Sequence, residues 1–354
     1  MVRRIFCLLL SLLTLGLTGC TPGSIIAHEL VKSPNRQPGW LTEPGRLLPP
    51  AKVTLSYYAT IPANHMSVQK ATVGQPPAML EALVVEPARY GFKASSHWEQ
   101  QGSHPVFRFE MRLTPSTNSA DAPLAPRGTI FLLHGYGLRK DVLLPWGISL
   151  AEAGWRCVLV DLRGHGESGG PRIYFGTHEA EDLRDLLTEL DRRHVISGPV
   201  GVLGDSYGAD IALRWAAQDS RVQATVALAP YAKLADAMEG IRQSYAPWVP
   251  RGWVRSAAQK VPRLLGVPAE SLDPVSVLPA QKVAALFIAG EKDVVAPVAA
   301  VQQLKDLALP ESQLLLVPQS AHEELPYEFD MLEKPVKAWF DVHLHEAAQS
   351  VRTR

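Results

Sequence analysis

Ser206 stands in the pentapeptide Gly204-Asp205-Ser206-Tyr207-Gly208, with the apolar run Val200 to Leu203 before it and Ile211, Ala212 and Trp215 at helical spacing after it. A G-x-S-x-G pattern between a strand and a helix predicts a sharp turn that lifts the serine hydroxyl above the sheet. Residues two before and two after must be small so that strand and helix can close together, and Gly204 and Gly208 meet that need. A hydroxyl near neutral pH needs a general base within hydrogen-bond reach, and the base needs a third group to fix its tautomer and stabilise its charged form. Downstream, Glu291 and Asp293 follow the run Leu286 to Ala289, and His322 follows Gln313 to Val317. Both segments leave the same edge of a sheet as the serine turn, where open α/β sheets build their sites. The chemistry such a set performs is acyl transfer through the serine oxygen. Cys157, inside the apolar run Cys157 to Val160, reads as a small buried hydrophobe and a poor nucleophile.

The elements that must position these side chains follow from pattern. Short apolar runs beginning near Thr129, Cys157, Val200, Ala224, Ala285 and Gln313 alternate with helical stretches, the signature of βαβ units and a central parallel sheet. Leu183, Leu186, Leu187 and Leu190 predict one flanking helix, with Thr177 as its expected N-cap and Glu179, Glu181 and Asp182 in its first turn. Val298, Val301 and Leu304 predict another, and Val336, Trp339, Phe340, His343 and Leu344 the apolar stripe of a last one. Residues 53–61 and 107–113 alternate as half-buried strands, expected as an antiparallel pair at one edge of the sheet. The stretch Tyr231 to Ala280 is too long for a simple crossover and predicts a helical cap, in which Trp248, Trp253, Leu264 and Leu265 pack or line a pocket.

Lysine plus arginine equals aspartate plus glutamate at 35 each, so no net basic charge points to nucleic acid. With 46% hydrophobic and 20% charged residues, the bulk of the 354-residue chain is expected to bury a core. The first residues, Met1-Val-Arg3-Arg4 and then an apolar run from Ile5 to Leu17, have the layout of an export signal. Leu17-Thr18-Gly19-Cys20 resembles a bacterial lipobox, which implies a signal peptide over 1–19, a lipid on Cys20 and a place in the cell envelope. Thr21 after the cysteine favours the outer membrane, facing the periplasm. Pro and Gly with no sustained period give residues 20–50 the reading of a tether, ahead of a domain over 51–350 with its cap at 231–280. Cys7 and Cys20 fall in these leading segments, so Cys157 alone is left in the domain and no disulfide is expected.

Leu132 to Gly170, with its HGYG and RGHGES turns, together with GDSYG, GEKDVVAP and SAHEE, resembles the α/β-hydrolase superfamily. The pattern is most similar to its monoacylglycerol-lipase and serine-aminopeptidase-like branch, over roughly 129–344. The resemblance implies Ser206 as nucleophile, Asp293 rather than Glu291 as the orienting acid, and His322 as base. It implies one oxyanion amide at Tyr136 and another at Tyr207, with no metal or organic cofactor. His134 and His165 then belong to structural turns, and His343 to the packing of the last helix. The expected substrate is a carboxylic ester, lipid or small, with a peptidase or amidase on the same fold, or a silent envelope-binding lipoprotein, as the alternatives. The expected partners are that substrate and, through the N-terminal lipid, the membrane.

Overall fold

Ile130 and Leu132 face one side of their strand and Phe131 and Leu133 the other, and all four are buried. Cys157 and Leu159 against Val158 and Val160 repeat the pattern one strand over. Strands buried on both faces read as unbroken apolar runs and need helices on each side, the condition of an α/β sheet. The computed structural model describes residues 21–36, 53–58, 65–101, 104–114 and 123–352, so Cys20 and the export signal lie outside the described residues.

The strands are β1 (Val53–Tyr58), β2 (Met66–Val73), β3 (Ala78–Val85), β4 (Lys93–Gln101), β5 (His104–Arg112), β6 (Thr129–Leu133), β7 (Arg156–Asp161), β8 (Val200–Asp205), β9 (Val222–Leu228), β10 (Ala285–Gly290) and β11 (Gln313–Val317). The helices are α1 (Pro22–Val31), α2 (Leu144–Glu152), α3 (Glu179–Arg192), α4 (Tyr207–Gln218), α5 (Leu234–Tyr245), α6 (Arg251–Leu265), α7 (Val298–Leu307) and α8 (Phe329–Arg352). Eight strands form the central sheet in the order β11-β10-β9-β8-β6-β7-β3-β2. From β11 to β7 neighbours run parallel; β3 joins β7 and β2 joins β3 antiparallel. Trp146 of α2, Val301 and Leu304 of α7, and Val336 and Phe340 of α8 pack with one face. Leu183 and Leu187 of α3 and Ile211 and Trp215 of α4 pack with the other. No helix among the described residues is long and apolar enough to cross a membrane.

Three expectations are corrected. The antiparallel edge of the sheet is β2 and β3, whereas β1 and β5 pair parallel with each other in a separate three-stranded sheet, β1-β5-β4. Phe109 explains why: its ring lies 5.3 Å from Phe329 of α8, so β5 is drawn toward the last helix. The N-cap of α3 is His178, not Thr177; the Thr177 hydroxyl donates to the Tyr174 carbonyl at 2.9 Å. Glu179 organises that helix start by accepting from the Tyr174 and Gly176 amides at 2.7 and 2.9 Å.

The third concerns the tether over 20–50, whose early part is helix α1. Thr21 caps it and Pro22 opens it, and Gly23, Ala27 and Val31 recur every fourth residue on a buried face. That face lies against α6: a Cβ on Gly23 would stand 2.5 Å from the Ser256 hydroxyl. The cap over 231–280 consists of α5, α6 and three short 3₁₀ turns, with Val254, Ala257, Val261 and Leu265 as the buried stripe of α6. Trp248 is 63% exposed and is not part of that packing.

Candidate active site

Ser206 is reached by a turn that few residue types can make. Its φ of 51° and ψ of −111° lie in a region that a side chain makes costly, between the end of β8 and the first turn of α4. Backbone pairing holds the turn: the Ser206 amide donates to the Leu228 carbonyl on β9 at 2.8 Å, and its own carbonyl accepts from Ala209 at 2.9 Å. The flanking glycines are required by space. A Cβ on Gly204 would lie 2.2 Å from the Gly208 carbonyl oxygen, and one on Gly208 would lie 2.1 Å from that of Leu133.

Asp293 and His322 follow the ends of β10 and β11, the two outermost strands on that side of the sheet, with β9 between them and β8. Gly290 closes β10 opposite Val317 of β11, and a Cβ there would meet the Ser320 carbonyl at 2.4 Å, so the two loops run in contact. The Glu291 amide donates to Val317 and the Lys292 amide to Ser320, which turns the chain and points Asp293 inward. Its side chain is fully buried, and Oδ1 accepts from the Val295 and Ala296 amides, each at 2.8 Å. Oδ2 lies 2.7 Å from His322 Nδ1, and His322 Nε2 lies 2.8 Å from Ser206 Oγ. Three side chains, 29 and 116 residues apart in sequence from the imidazole, thus form one hydrogen-bonded chain. Glu291 is exposed and takes no part in it.

Burial disfavours a charged imidazole at His322, but the hydrogen bond and negative charge of Asp293, with the charges of Asp205 and Glu324, outweigh it and raise the pKa above its ordinary value. With Nδ1 held by the carboxylate, Nε2 of the neutral ring is the acceptor for the Ser206 proton, the requirement for a general base. Asp205, next to the serine, is pushed up to about 7, chiefly by burial, with His322 opposing and Asp293 and Glu323 assisting.

Tyr136 and Tyr207 lie on adjoining turns. A Cβ on Gly135 would lie 3.7 Å from the Ser206 Cβ and 3.1 Å from Asp205 Oδ2, and the rings of Tyr136 and Tyr207 meet edge to face at 6.1 Å. Tyr207 opens α4, whose amino end carries the positive pole of the helix. The HGYG turn is fixed from behind. His134 Nε2 accepts from the Leu162 amide at 3.1 Å, and His134 Nδ1 donates to Gly135 O at 2.8 Å. Burial lowers the pKa of His134, and burial together with the neighbouring His134 ring takes that of His165 down to about 3. His343 stacks on Trp339 at 3.9 Å in α8. Asp273 accepts from the Leu234 amide at 3.0 Å, at the start of α5 in the cap. Cys157 is buried, and burial raises its thiol pKa.

Two buried groups escaped the sequence reading. Lys140 sits at the end of the HGYG turn with Nζ 2.5 Å from Asp161 and 2.9 Å from Glu81, while Asp161 also accepts from the Lys140 and Glu167 amides. Behind Tyr207, Arg214 pairs with Asp210 at 2.6 Å, Tyr231 donates to Asp210 at 3.1 Å, and Arg214 donates to the Ser271 carbonyl in the cap at 2.6 Å. A single sequence does not mark such groups: Lys140, Asp161 and Glu81 lie on different elements, and Asp210 and Arg214, one turn apart on α4, have the spacing of an ordinary surface pair although both are buried. No group of acidic, histidine or cysteine side chains that could hold a metal ion occurs among the described residues.

Residues 125–283 match the model of a family described as serine aminopeptidase, S33. A polyketide transferase of Penicillium sp, grgF, is 29% identical over 183 residues, which are 42% of this chain and 61% of that protein. YqkD of Bacillus subtilis is 32% identical over 95 residues, 27% of this chain and 31% of that protein. The chain thus spans less than two thirds of the length of either relative. Among solved structures, an esterase of Pyrococcus furiosus superposes with a TM-score of 0.58 at 16% identity, over 82% of this chain and 98% of that one. The Penicillium α/β hydrolase GrgF gives 0.56 at 18% identity, over 80% and 100%. With strand order, elbow and neighbours in agreement, the chain has the α/β-hydrolase fold.

Proposed function

We propose that the protein is a serine hydrolase of carboxylic esters, lipid or small acyl, acting through an acyl-enzyme. The observation that carries the reading is the unbroken contact from Ser206 Oγ through both nitrogens of His322 to Asp293. Ser206 Oγ attacks the carbonyl carbon as His322 Nε2 takes its proton, giving a tetrahedral oxyanion. The Tyr136 and Tyr207 amides hold that oxygen, and loss of one such donor typically costs about 100- to 1000-fold in rate. The carbon–oxygen bond to the alcohol then breaks as His322 returns the proton to it. Water, deprotonated by the same imidazole, releases the acid and restores Ser206. No step needs a metal or an organic cofactor. The esterase named among the structural neighbours supports the ester as substrate class.

Cleavage of an aminoacyl amide is the second reading, favoured by the serine aminopeptidase description of the matching family model. A panel of acyl esters against aminoacyl amides separates the two: strong amide turnover with negligible ester turnover replaces the first by the second. Fluorophosphonate is expected to label wild type and not Ser206→Ala. That variant should lose turnover by at least about 10⁴-fold while its melting temperature stays nearly unchanged. A folded wild-type protein that takes no label would leave only a silent binding lipoprotein.

We also propose that residues 1–19 are a lipoprotein signal and that Cys20 carries the lipid, placing the enzyme on the outer membrane facing the periplasm. The support is the sequence Leu17-Thr18-Gly19-Cys20 behind an apolar run and two arginines. Mass spectrometry of the amino-terminal peptide tests it.

A further inference from the structure

Helix α6 of the cap has three distinct sides. Val254, Ala257, Val261 and Leu265 form its buried stripe. Ser256 and Lys260 meet α1: the Lys260 ammonium donates to the Thr21 and Ser24 hydroxyls at 2.6 and 2.7 Å, and Gly23 leaves room for Ser256. The third side carries Arg251, Arg255, Gln259 and Arg263, spaced by four and all exposed. Arg251 pairs with Glu239 at 3.2 Å, whereas Arg255 and Arg263 have no ion-pair partner among the described residues. The fifteen residues of α6 contain four cations and no acid, in a chain whose total charge is zero.

Thr21 is therefore pinned to α6, one residue after Cys20. Consecutive Cα atoms are about 3.8 Å apart, so the chain has no slack between Cys20 and the cap. Whatever holds Cys20 to a bilayer, a lipid on its thiol or the apolar run ahead of it, brings α6 to the headgroups.

We propose that the arginine side of α6 is a docking surface for an anionic lipid bilayer, so that the enzyme works with its cap against the membrane. The proposal rests on the reading of the amino terminus as a membrane attachment. Charge complementarity supplies the second argument: each arginine beside an anionic surface contributes about a fivefold factor in binding. Held this way, the edge of the sheet that carries Ser206 faces lipid, because the cap leaves the carboxyl end of β9 and its helix α5 passes the Asp293 loop, where a Cβ on Gly240 would lie 2.2 Å from the Val294 carbonyl oxygen.

The test uses the full chain, with Cys7→Ser to leave no competing thiol in the leader, reconstituted in phosphatidylglycerol vesicles. A spin label is placed at Gln259→Cys or at Val342→Cys on α8. Val342 is 52% exposed and neighbours Asp341, which pairs with Arg127 ahead of β6, at the opposite end of the strands from Ser206. The label at 259 is expected to be reached by lipid-dissolved oxygen severalfold better than by an aqueous nickel chelate, and the label at 342 to show the reverse. Adding R255E and R263E should move the label at 259 back toward water. Equal aqueous accessibility at the two positions overturns the proposal, as does an unchanged label at 259 in the charge-reversed chain. Mass spectrometry of the unlabelled chain reads the anchor separately, and the labelling is repeated with Cys20→Ser: lipid contact at 259 that persists there, held by the apolar run, upholds the docking surface even where Cys20 of the unlabelled chain carries no lipid.

Discussion

Asp205 is buried beside the serine with one carboxylate oxygen, Oδ1, that has no hydrogen-bond partner among the described residues. Its folded pKa, pushed to about 7, stands above the ordinary value near 3.9 of an unfolded aspartate. Such a group is neutral in both states below about pH 4, and its contribution to stability is lost as pH rises through the folded value. Asp205→Asn should therefore gain stability over wild type as pH is raised from about 5 to 8, read by urea unfolding at each pH. The ionised Asp205 also favours the charged form of His322, so the same variant should shift the acid limb of kcat/KM to lower pH. A limb that stays in place would mean that Asp205 does not act on the imidazole. At this scale the sequence was readable in its residue types. It left Glu291 and Asp293 open until a family resemblance chose between them, and the structure brings Asp293 and not Glu291 to His322.

Strand-to-turn junctions carry the site at the element scale, and their tolerances are those of backbone packing. Gly208 passes so close to Leu133 that a methyl group would overlap a main-chain oxygen, which cannot move without opening β6 from β8. Gly208→Ala is expected to cost about 3 kcal/mol or more in unfolding free energy, at the high end of overpacking penalties. Equilibrium denaturation measures it, and a loss under 1 kcal/mol would show that the elbow can relax. Period-two and period-3.6 patterns found most elements, but patterns do not name partners. Alternation along 107–113 announced a strand; its assignment to the sheet edge failed because the same alternation suits any half-buried sheet. Helix α1 was missed because its apolar residues, Ile25, Ile26, Ala27, Leu30 and Val31, lie around the helix rather than on one stripe, and Pro22 and Gly23 open it as they would a loop.

Buried charge ties the site to the rest of the molecule. Lys140, Asp161 and Glu81 join the turn before α2 to β7 and to the antiparallel strand β3 beside it, and Arg214 joins α4 to the cap through Ser271. Removing one partner of such a group strands the others in a medium that solvates charge poorly. Lys140→Met should cost about 3 to 5 kcal/mol in urea unfolding. If it proved neutral, the two amides of residue 140 and Glu167 alone would satisfy Asp161, and the ammonium would have no part in fixing the HGYG turn.

Read alone, the sequence determined the parallel α/β layering, the elbow and the order of serine, acid and histidine, because these are written in local composition: apolar runs, small residues and strand ends. Only the tertiary structure decided which strands close the sheet and that residues 22–31 dock on the cap. Those outcomes depend on contacts between segments tens to hundreds of residues apart, and such contacts are selected by the packing of the whole chain rather than by the pattern of any one stretch.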